Sequence, residues 1–380
     1  MTPVVSERIA RFLAEQTPET PCLVVDLDLI AAAYDALRHY LPLARIYYAV
    51  KANPAAEIVG KLNRKGASFD VASRDEIELC LGNGIGPDRL SFGNTIKKEK
   101  DIAYAYQAGV RLFAFDSAHE LEKLARAALG ARVFCRILVA CDGAEWPLSR
   151  KFGCAPEMAV ELLRQARDAG LDPYGISFHV GSQQTDLGQW DGAVGTAARM
   201  FSALAETDIN LRMVNIGGGF PAHYSAEVPG VERYARAVMA AITRHFGNDL
   251  PEIIIEPGRS LVGDAGVIQS EVVLIAKKGG GDDRRWVYLD VGKFNGLAET
   301  MDESIKYRIA TPGRGGSAGP VVLAGPTCDS ADILYEKTEY RLPLALRVGD
   351  KVEILSAGAY TASYASVGFN GFPPLRTYCL

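Results

Sequence analysis

The feature that most constrains this chain is a rhythm: short apolar runs alternate with amphipathic stretches eight times between residues 46 and 259. The runs span 46–52, 68–73, 90–94, 112–117, 132–140, 174–180, 213–219 and 252–258. They are rich in branched and aromatic residues, which suit a pleated, buried strand. Between them, stretches such as 75–81, 118–128, 158–169 and 231–245 space their apolar residues three and four apart, the helical period. The first four runs begin at 46, 68, 90 and 112, a tight strand–helix spacing. Strands joined by helical crossovers run parallel, and eight successive units predict a closed (β/α)8 barrel rather than an open doubly wound sheet.

Beyond about residue 266 the pattern changes. Residues 267–277, 285–290, 320–323 and 351–355 are strand-like, with glycine-rich turns at 279–281 and 313–319, and helical periodicity becomes scarce. The expected architecture is therefore α/β: a (β/α)8 barrel over 27–265 followed by a β-rich domain, a sandwich or barrel-like sheet, over 266–380. The early run 21–25 has no preceding helix with which to join the barrel. It is assigned, with residues 1–26, to the second domain.

Composition narrows the function class. A formal net charge of −5 argues against a non-specific nucleic-acid binder or a protein held to anionic membranes. No apolar run approaches the roughly 20 residues of a membrane span, and residues 1–16, with Glu7, Arg8, Arg11 and Glu15, lack the apolar stretch of a signal peptide. The 7 cysteines are scattered without a Cys-x-x-Cys pair, and the 5 histidines form no ligand pattern. This fits reduced thiols in a cytoplasm and no metal site.

In a barrel of this kind the active site sits at the C-terminal ends of the strands. Read in order, those ends carry Lys51, Asp70, Asn94, Asp116, His179, Gly217-Gly218-Gly219 and Glu256-Pro257-Gly258-Arg259. An amine emerging from the apolar stretch Tyr47-Tyr48-Ala49-Val50 loses solvation of its charged form. That lowers its pKa and makes a neutral, imine-forming nucleophile accessible; the alternative is a lysine snorkelling from a strand end. Glycines after the seventh run and Arg259 after the eighth stand where such barrels build phosphate sites. Glu256 closes an apolar run and needs a partner, either Arg259 or a protonated ring nitrogen. His179 reads as a satisfied core histidine or as a ring stacked on a flat cofactor. Asp116-Ser117 reads as a helix N-cap and stays outside the site.

Six stretches taken together, Tyr48-Ala49-Val50-Lys51-Ala52-Asn53, Phe69-Asp70-Val71-Ala72-Ser73, Ser177-Phe178-His179-Val180-Gly181-Ser182, Gly217-Gly218-Gly219-Phe220-Pro221, Glu256-Pro257-Gly258-Arg259 and Gly325-Pro326-Thr327-Cys328-Asp329-Ser330, resemble the pyridoxal-phosphate-dependent decarboxylases of the alanine-racemase-like fold. Within that group, Cys328-Asp329 and Gly358-Ala359-Tyr360-Thr361 look most like ornithine decarboxylases. The resemblance implies pyridoxal 5'-phosphate held covalently by Lys51, with Glu256 on its ring nitrogen and His179 on its face. It places Ser182, Gly217, Gly218, Gly219, Gly258, Arg259 and Tyr360 around the phosphate, and Asp70 and Glu76 near the lysine. It also implies that Cys328, a thiol kept protonated by burial, returns a proton to the α-carbon. Asp329 would receive a substrate's distal amine, and both would act across a homodimer with shared sites.

Two places depart from the family's eukaryotic pattern. An arginine expected near Pro147 is absent, with Arg150 the nearest basic residue, which leaves open how loop 141–153, read as a lid, meets the site. Leu297-Ala298-Glu299-Thr300-Met301-Asp302-Glu303 replaces a segment whose aspartate grips the terminal amine. Asp302 is the candidate for that role, with Glu299 and Glu303 behind it and a surface acidic cluster as the alternative. The leading expectation is decarboxylation of ornithine to putrescine in a cytoplasmic, polyamine-forming enzyme. A lysine/ornithine enzyme, a diaminopimelate or arginine decarboxylase, and an inactive regulatory homologue are the competing readings.

Overall fold

The computed structural model describes residues 5–146 and 151–380, so Pro147 and Arg150 lie outside the described residues. The chain divides into two compact units. One comprises residues 31–221 and 228–260; the other comprises the chain up to Ile30, residues 222–227, and residues 261–380.

The first unit is the barrel. Eight parallel strands, β1 (Ala44–Ala49), β2 (Ser68–Val71), β3 (Leu90–Phe92), β4 (Leu112–Phe115), β5 (Arg132–Arg136), β6 (Asp172–Ser177), β7 (Met213–Asn215) and β8 (Glu252–Ile255), close in sequence order. Closure is made where Ile253 of β8 pairs with Ala44 of β1. Tyr47, Leu112, Ala114, Phe134, Tyr174, Met213 and Ile254 fill the interior as one cluster. Each large side chain so buried contributes about 1.5–3 kcal/mol. Gly175 is required where β6 meets β7, since a β-carbon there would lie 2.2 Å from the Met213 carbonyl oxygen.

The strands stop earlier than the apolar runs. The first ends at Ala49, and Lys51 sits in a 3-10 turn, Val50–Ala52. The fifth ends at Arg136 rather than residue 140, and the last three end at Ser177, Asn215 and Ile255. Past these ends the regular ladder gives way to single backbone contacts, such as the Ile137 N–H to the Ser177 carbonyl and the Glu256 N–H to the Gly217 carbonyl, both at 2.8 Å. One ladder was not legible from periodicity, an antiparallel pair joining Ala144–Trp146 to Ser182–Gln184.

The helices close by local chemistry. Ser73 and Ser117 accept the N–H groups of Glu76 and Glu120 and cap Arg74–Gly82 and Ala118–Ala127. Beside this second cap lies a buried ion pair, with Lys97 Nζ 3.1 Å from Glu120. Lys97 also donates to the Asn94 and Ala114 carbonyls at 2.7 and 2.6 Å, joining the ends of β3 and β4. Burial draws the Lys97 ammonium down to about 8, against the pull of Glu120.

The second unit is a mixed sheet. β9 (Gly266–Ala276), β10 (Arg285–Leu289), β11 (Ile309–Ala310), β12 (Ala318–Ala324), β13 (Ile333–Pro343) and β14 (Lys351–Leu355) take the spatial order β11-β14-β9-β10-β12-β13. Cys22–Val25 pairs with β9 on one side and with β15 (Arg376–Cys379) on the other. Cys22 and Val24 are buried in a cluster with Ile9, Leu13, Val267 and Leu355. Among the described residues, no helix is long and apolar enough to cross a membrane.

Removing one member of a buried pair leaves the other charge uncompensated, at about 3–5 kcal/mol. Glu120→Gln is therefore expected to lower unfolding free energy by about 3 kcal/mol, read from the denaturant midpoint at constant slope. A loss below about 1 kcal/mol would show that the Lys97 ammonium is not held by this pair.

Candidate active site

The C-terminal ends of β1, β2, β5, β6, β7 and β8, with the turns after them, carry a group of polar and ionisable side chains that belongs to the barrel unit alone. Lys51, about half exposed, places Nζ 3.5 Å from Oδ2 of Asp70, which is buried. Asp70 can lie there because residue 93 is glycine: a β-carbon at Gly93 would fall 1.9 Å from Asp70 Oδ1. Burial raises the Asp70 carboxyl, opposed chiefly by the Lys51 ammonium. Glu76 turns its carboxylate back to accept the Ala72 N–H at 2.7 Å. Burial pushes it up to about 6, with a further rise from Asp70 and a pull downward from Lys51.

Glu256 is fixed from two sides. Its N–H donates to the Gly217 carbonyl at 2.8 Å, and its carboxylate accepts the Asn215 side-chain amide. Asn215 Oδ1 in turn accepts the Gly217 N–H at 2.9 Å. Burial and the Asp70 charge push the Glu256 carboxyl up to about 7, against Lys51 and the Asn215 hydrogen bond. The His179 ring accepts the Gly181 N–H at Nδ1, 3.0 Å away, so the neutral ring carries its proton on Nε2. Burial, then the nearby Arg136 and Lys51 cations, hold it well below the usual histidine range.

The glycine run is a cradle that side chains would fill. A β-carbon on Gly217 would lie 2.3 Å from the Phe178 carbonyl, on Gly218 2.7 Å from the Glu256 carbonyl, and on Gly219 2.8 Å from the Gly181 carbonyl. Gly217 and Gly219 also hold φ of +68° and +98°, which favours glycine. Next to this run, Ser182 Oγ accepts Arg259 Nε and Nη2 at 3.2 and 3.1 Å. Arg259 and Gly258 are buried. A guanidinium, a hydroxyl and glycine backbone are the donor set of a phosphate site.

Two contributors were not read from the sequence. Arg136, the last residue of β5, has its guanidinium 5.1 Å from the centre of the Phe152 ring. Burial lowers its pKa, opposed by Glu256, Asp116 and Asp70. Its place in an apolar run hid it. Asn215, two residues before the glycines, could have been noticed as a polar residue inside a buried strand. Asp116 accepts the Gly153 N–H at 2.7 Å, while Ser117 alone makes the cap.

The second unit holds the remaining expected residues. Cys328 and Asp329 are exposed on the single chain. Their loop is anchored by Asp332, whose buried carboxylate accepts the N–H groups of Lys293 and Thr327 and the Thr327 hydroxyl at 2.7–3.1 Å. Tyr360, with φ +54°, follows the buried Gly358 and Ala359. Within 297–303, Glu299 is 3 % exposed and Asp302 is exposed. Glu303 accepts the backbone N–H groups of Glu336, Lys337 and Thr338.

Residues 27–263 match the family described as pyridoxal-dependent decarboxylase, pyridoxal binding domain. The chain belongs to the pyridoxal-dependent decarboxylases. It is 35% identical to the lysine/ornithine decarboxylase of Selenomonas ruminantium over 97% of this chain and 91% of that one. It is 33% identical to the chloroplastic ornithine decarboxylase of Nicotiana glutinosa over 94% and 83%. The lysine/ornithine decarboxylase of Vibrio vulnificus, solved with cadaverine, superposes with a TM-score of 0.88 at 31% identity over 99% of this chain and 100% of that one. The same enzyme has been solved with putrescine. This decarboxylase uses pyridoxal phosphate, and the barrel mouth fits that group on its own chemistry: an amine, a glycine cradle beside a guanidinium, a neutral imidazole, and a carboxyl in need of a cationic partner.

A raised carboxyl makes the folded state bind more protons than the unfolded one between its two pKa values. The Glu256 contribution to the cofactor-free protein is therefore full below about pH 4.5 and lost as pH rises through about 7. Glu256→Gln is expected to flatten the fall in stability over that window by about 2 kcal/mol, measured as denaturant unfolding at pH 5 and pH 8. Parallel pH dependence in both proteins would place the titration elsewhere.

Proposed function

We propose that this decarboxylase of basic amino acids converts L-ornithine to putrescine and CO2, with lysine to cadaverine as a second activity, in the cytoplasmic formation of polyamines. The observation that carries the reading is the pair of exposed carboxylates, Asp329 beside Cys328 and Asp302 on its left-handed turn. A distal ammonium would pair with either, whereas the second carboxylate of diaminopimelate would meet like charge. That one Vibrio vulnificus enzyme has been solved with cadaverine and with putrescine supports keeping both substrates.

Pyridoxal phosphate, when bound, supplies an electron sink for the pair left at the α-carbon as CO2 departs. Lys51 Nζ, beside Asp70, would hold the group covalently and release it to the amine of the substrate. Ser182, Arg259, Gly258 and the glycines at 217–219 would take the phosphate, to which the family resemblance adds Tyr360. The neutral His179 ring would pack against the group without adding a positive charge. Glu256 would keep a proton on the ring nitrogen through a charge-assisted hydrogen bond. Cys328 Sγ–H delivers the proton that replaces CO2 at the α-carbon. Since Cys328 and Asp329 are exposed on the single chain, the reading includes a homodimer in which they serve the partner's site.

Carbon dioxide release from ornithine, lysine, arginine and diaminopimelate, measured side by side, tests the substrate. Ornithine and lysine should lead, and a clear preference for diaminopimelate would overturn the role given to Asp329. Lys51→Ala should abolish the visible absorbance of protein-attached cofactor. Cys328→Ala should keep that absorbance and slow amine formation on the order of 10²-fold; unchanged amine formation would remove the thiol from the mechanism.

A further inference from the structure

The acidic segment 297–303 has an unusual backbone. Asp302 and Glu303 both hold positive φ, +52° and +55°. Two successive non-glycine residues in the left-handed region are disfavoured by contact of each β-carbon with the chain, and persist only where the surroundings over-determine them. Glycine would relieve both positions, yet both are acidic.

What holds the turn is visible in its own unit. Glu303 Oε1 accepts the N–H groups of Glu336 and Lys337 at 2.8 and 2.7 Å, and Oε2 accepts that of Thr338 at 2.6 Å. These three amides lie on β13, inside the stretch where its pairing with β12 loses register: Tyr335 pairs with Leu323 and Tyr340 with Val321, so four residues on β13 answer one on β12. The carboxylate thus takes up N–H groups that the sheet leaves without a ladder partner. Burial would raise this carboxyl, but the Thr338 side chain and the three N–H groups hold it at about 2. A second tie runs in parallel. Tyr335 Oη donates to the Ile305 carbonyl at 2.6 Å and accepts the Tyr307 N–H at 2.9 Å. The segment is nailed to β13 on its C-terminal side, and Asp302, the residue just before the clamp, is left pointing outward and exposed.

We infer that Glu303 is a positioning residue: its carboxylate, clamped to the irregular stretch of β13, holds the left-handed turn that presents Asp302 to the distal ammonium of a diamino-acid substrate. This rests on the reading of Asp302 as an amine ligand given above. It separates the two acidic neighbours by role, one reading charge and one spending its charge on backbone.

The test uses the full-length, cofactor-loaded protein and four variants. Glu303→Gln, which can accept from fewer of the three amides, should speed hydrogen–deuterium exchange in a peptide covering residues 336–338. It should also raise KM for ornithine and lysine several-fold, change their ratio, and leave kcat within about two-fold. Glu303→Asp should restore part of the protection and of the KM, and Asp302→Asn should raise KM without altering exchange. Cofactor absorbance reports whether each variant is folded, and Glu303→Asp serves if Glu303→Gln is not. Asp302→Gly/Glu303→Gln, which relieves one strained position, should exchange more slowly than Glu303→Gln alone. If Asp302→Asn raises KM and Glu303→Gln does not, the positioning role falls. If Glu303→Gln raises KM and Asp302→Asn does not, the role of Asp302 falls while the clamp stands, acting through another residue of the segment. Unchanged exchange at 336–338 in Glu303→Gln overturns the clamp itself.

Discussion

Closure of the barrel puts charged groups where none of them is comfortable alone, and the rest of the barrel mouth follows from how they compensate one another. Asp70 and Glu256 both lose solvation, and the Asp70 charge adds to the rise at Glu256. Lys51 and Arg136 oppose that shift, and burial, aided by the same two cations, keeps His179 neutral. A site of this kind is poised for a group that brings its own charges. A phosphate would answer Arg259, and a protonated ring nitrogen would answer Glu256. Both interactions would gain from the low local dielectric of the barrel mouth.

The second unit handles acidic residues differently. Asp332 and Glu303 spend their carboxylates on backbone N–H groups and hold two turns, one bearing Cys328 and Asp329 and the other bearing Asp302. Close approach is essential to the first: β-carbons on Gly292 or Gly325 would fall 2.3–2.4 Å from the Asp332 carboxylate. Inward acids thereby fix the geometry of outward ones.

Much of this was legible in the chain. Eight apolar runs with helical stretches between them have few ways to bury their apolar faces, so the barrel could be read from periodicity alone. Lys51, His179, Glu256 and Arg259 stood out because each interrupts an otherwise apolar or glycine-rich context. Arg136 did not, because it lies in the middle of the run 132–140, and only closure surrounds it with Asp70, Asp116 and Glu256. The strand ends were overestimated for a related reason. Apolar composition continues past the last ladder bond, whereas pairing depends on a neighbour that only the closed sheet supplies.

The sequence by itself determined the fold class, the cofactor chemistry and the family, since all three rest on local order: strand–helix alternation, a lysine beside Ala-Asn-Pro, glycines and arginine at the seventh and eighth strand ends. The tertiary structure decided which acidic residue does what. Glu299, Asp302 and Glu303 are equivalent as letters in a seven-residue stretch. One is buried, one is exposed, and one is consumed by three amides of a strand more than thirty residues away. A carboxylate's role is set by the donors it meets, and those donors are brought to it by the sheet.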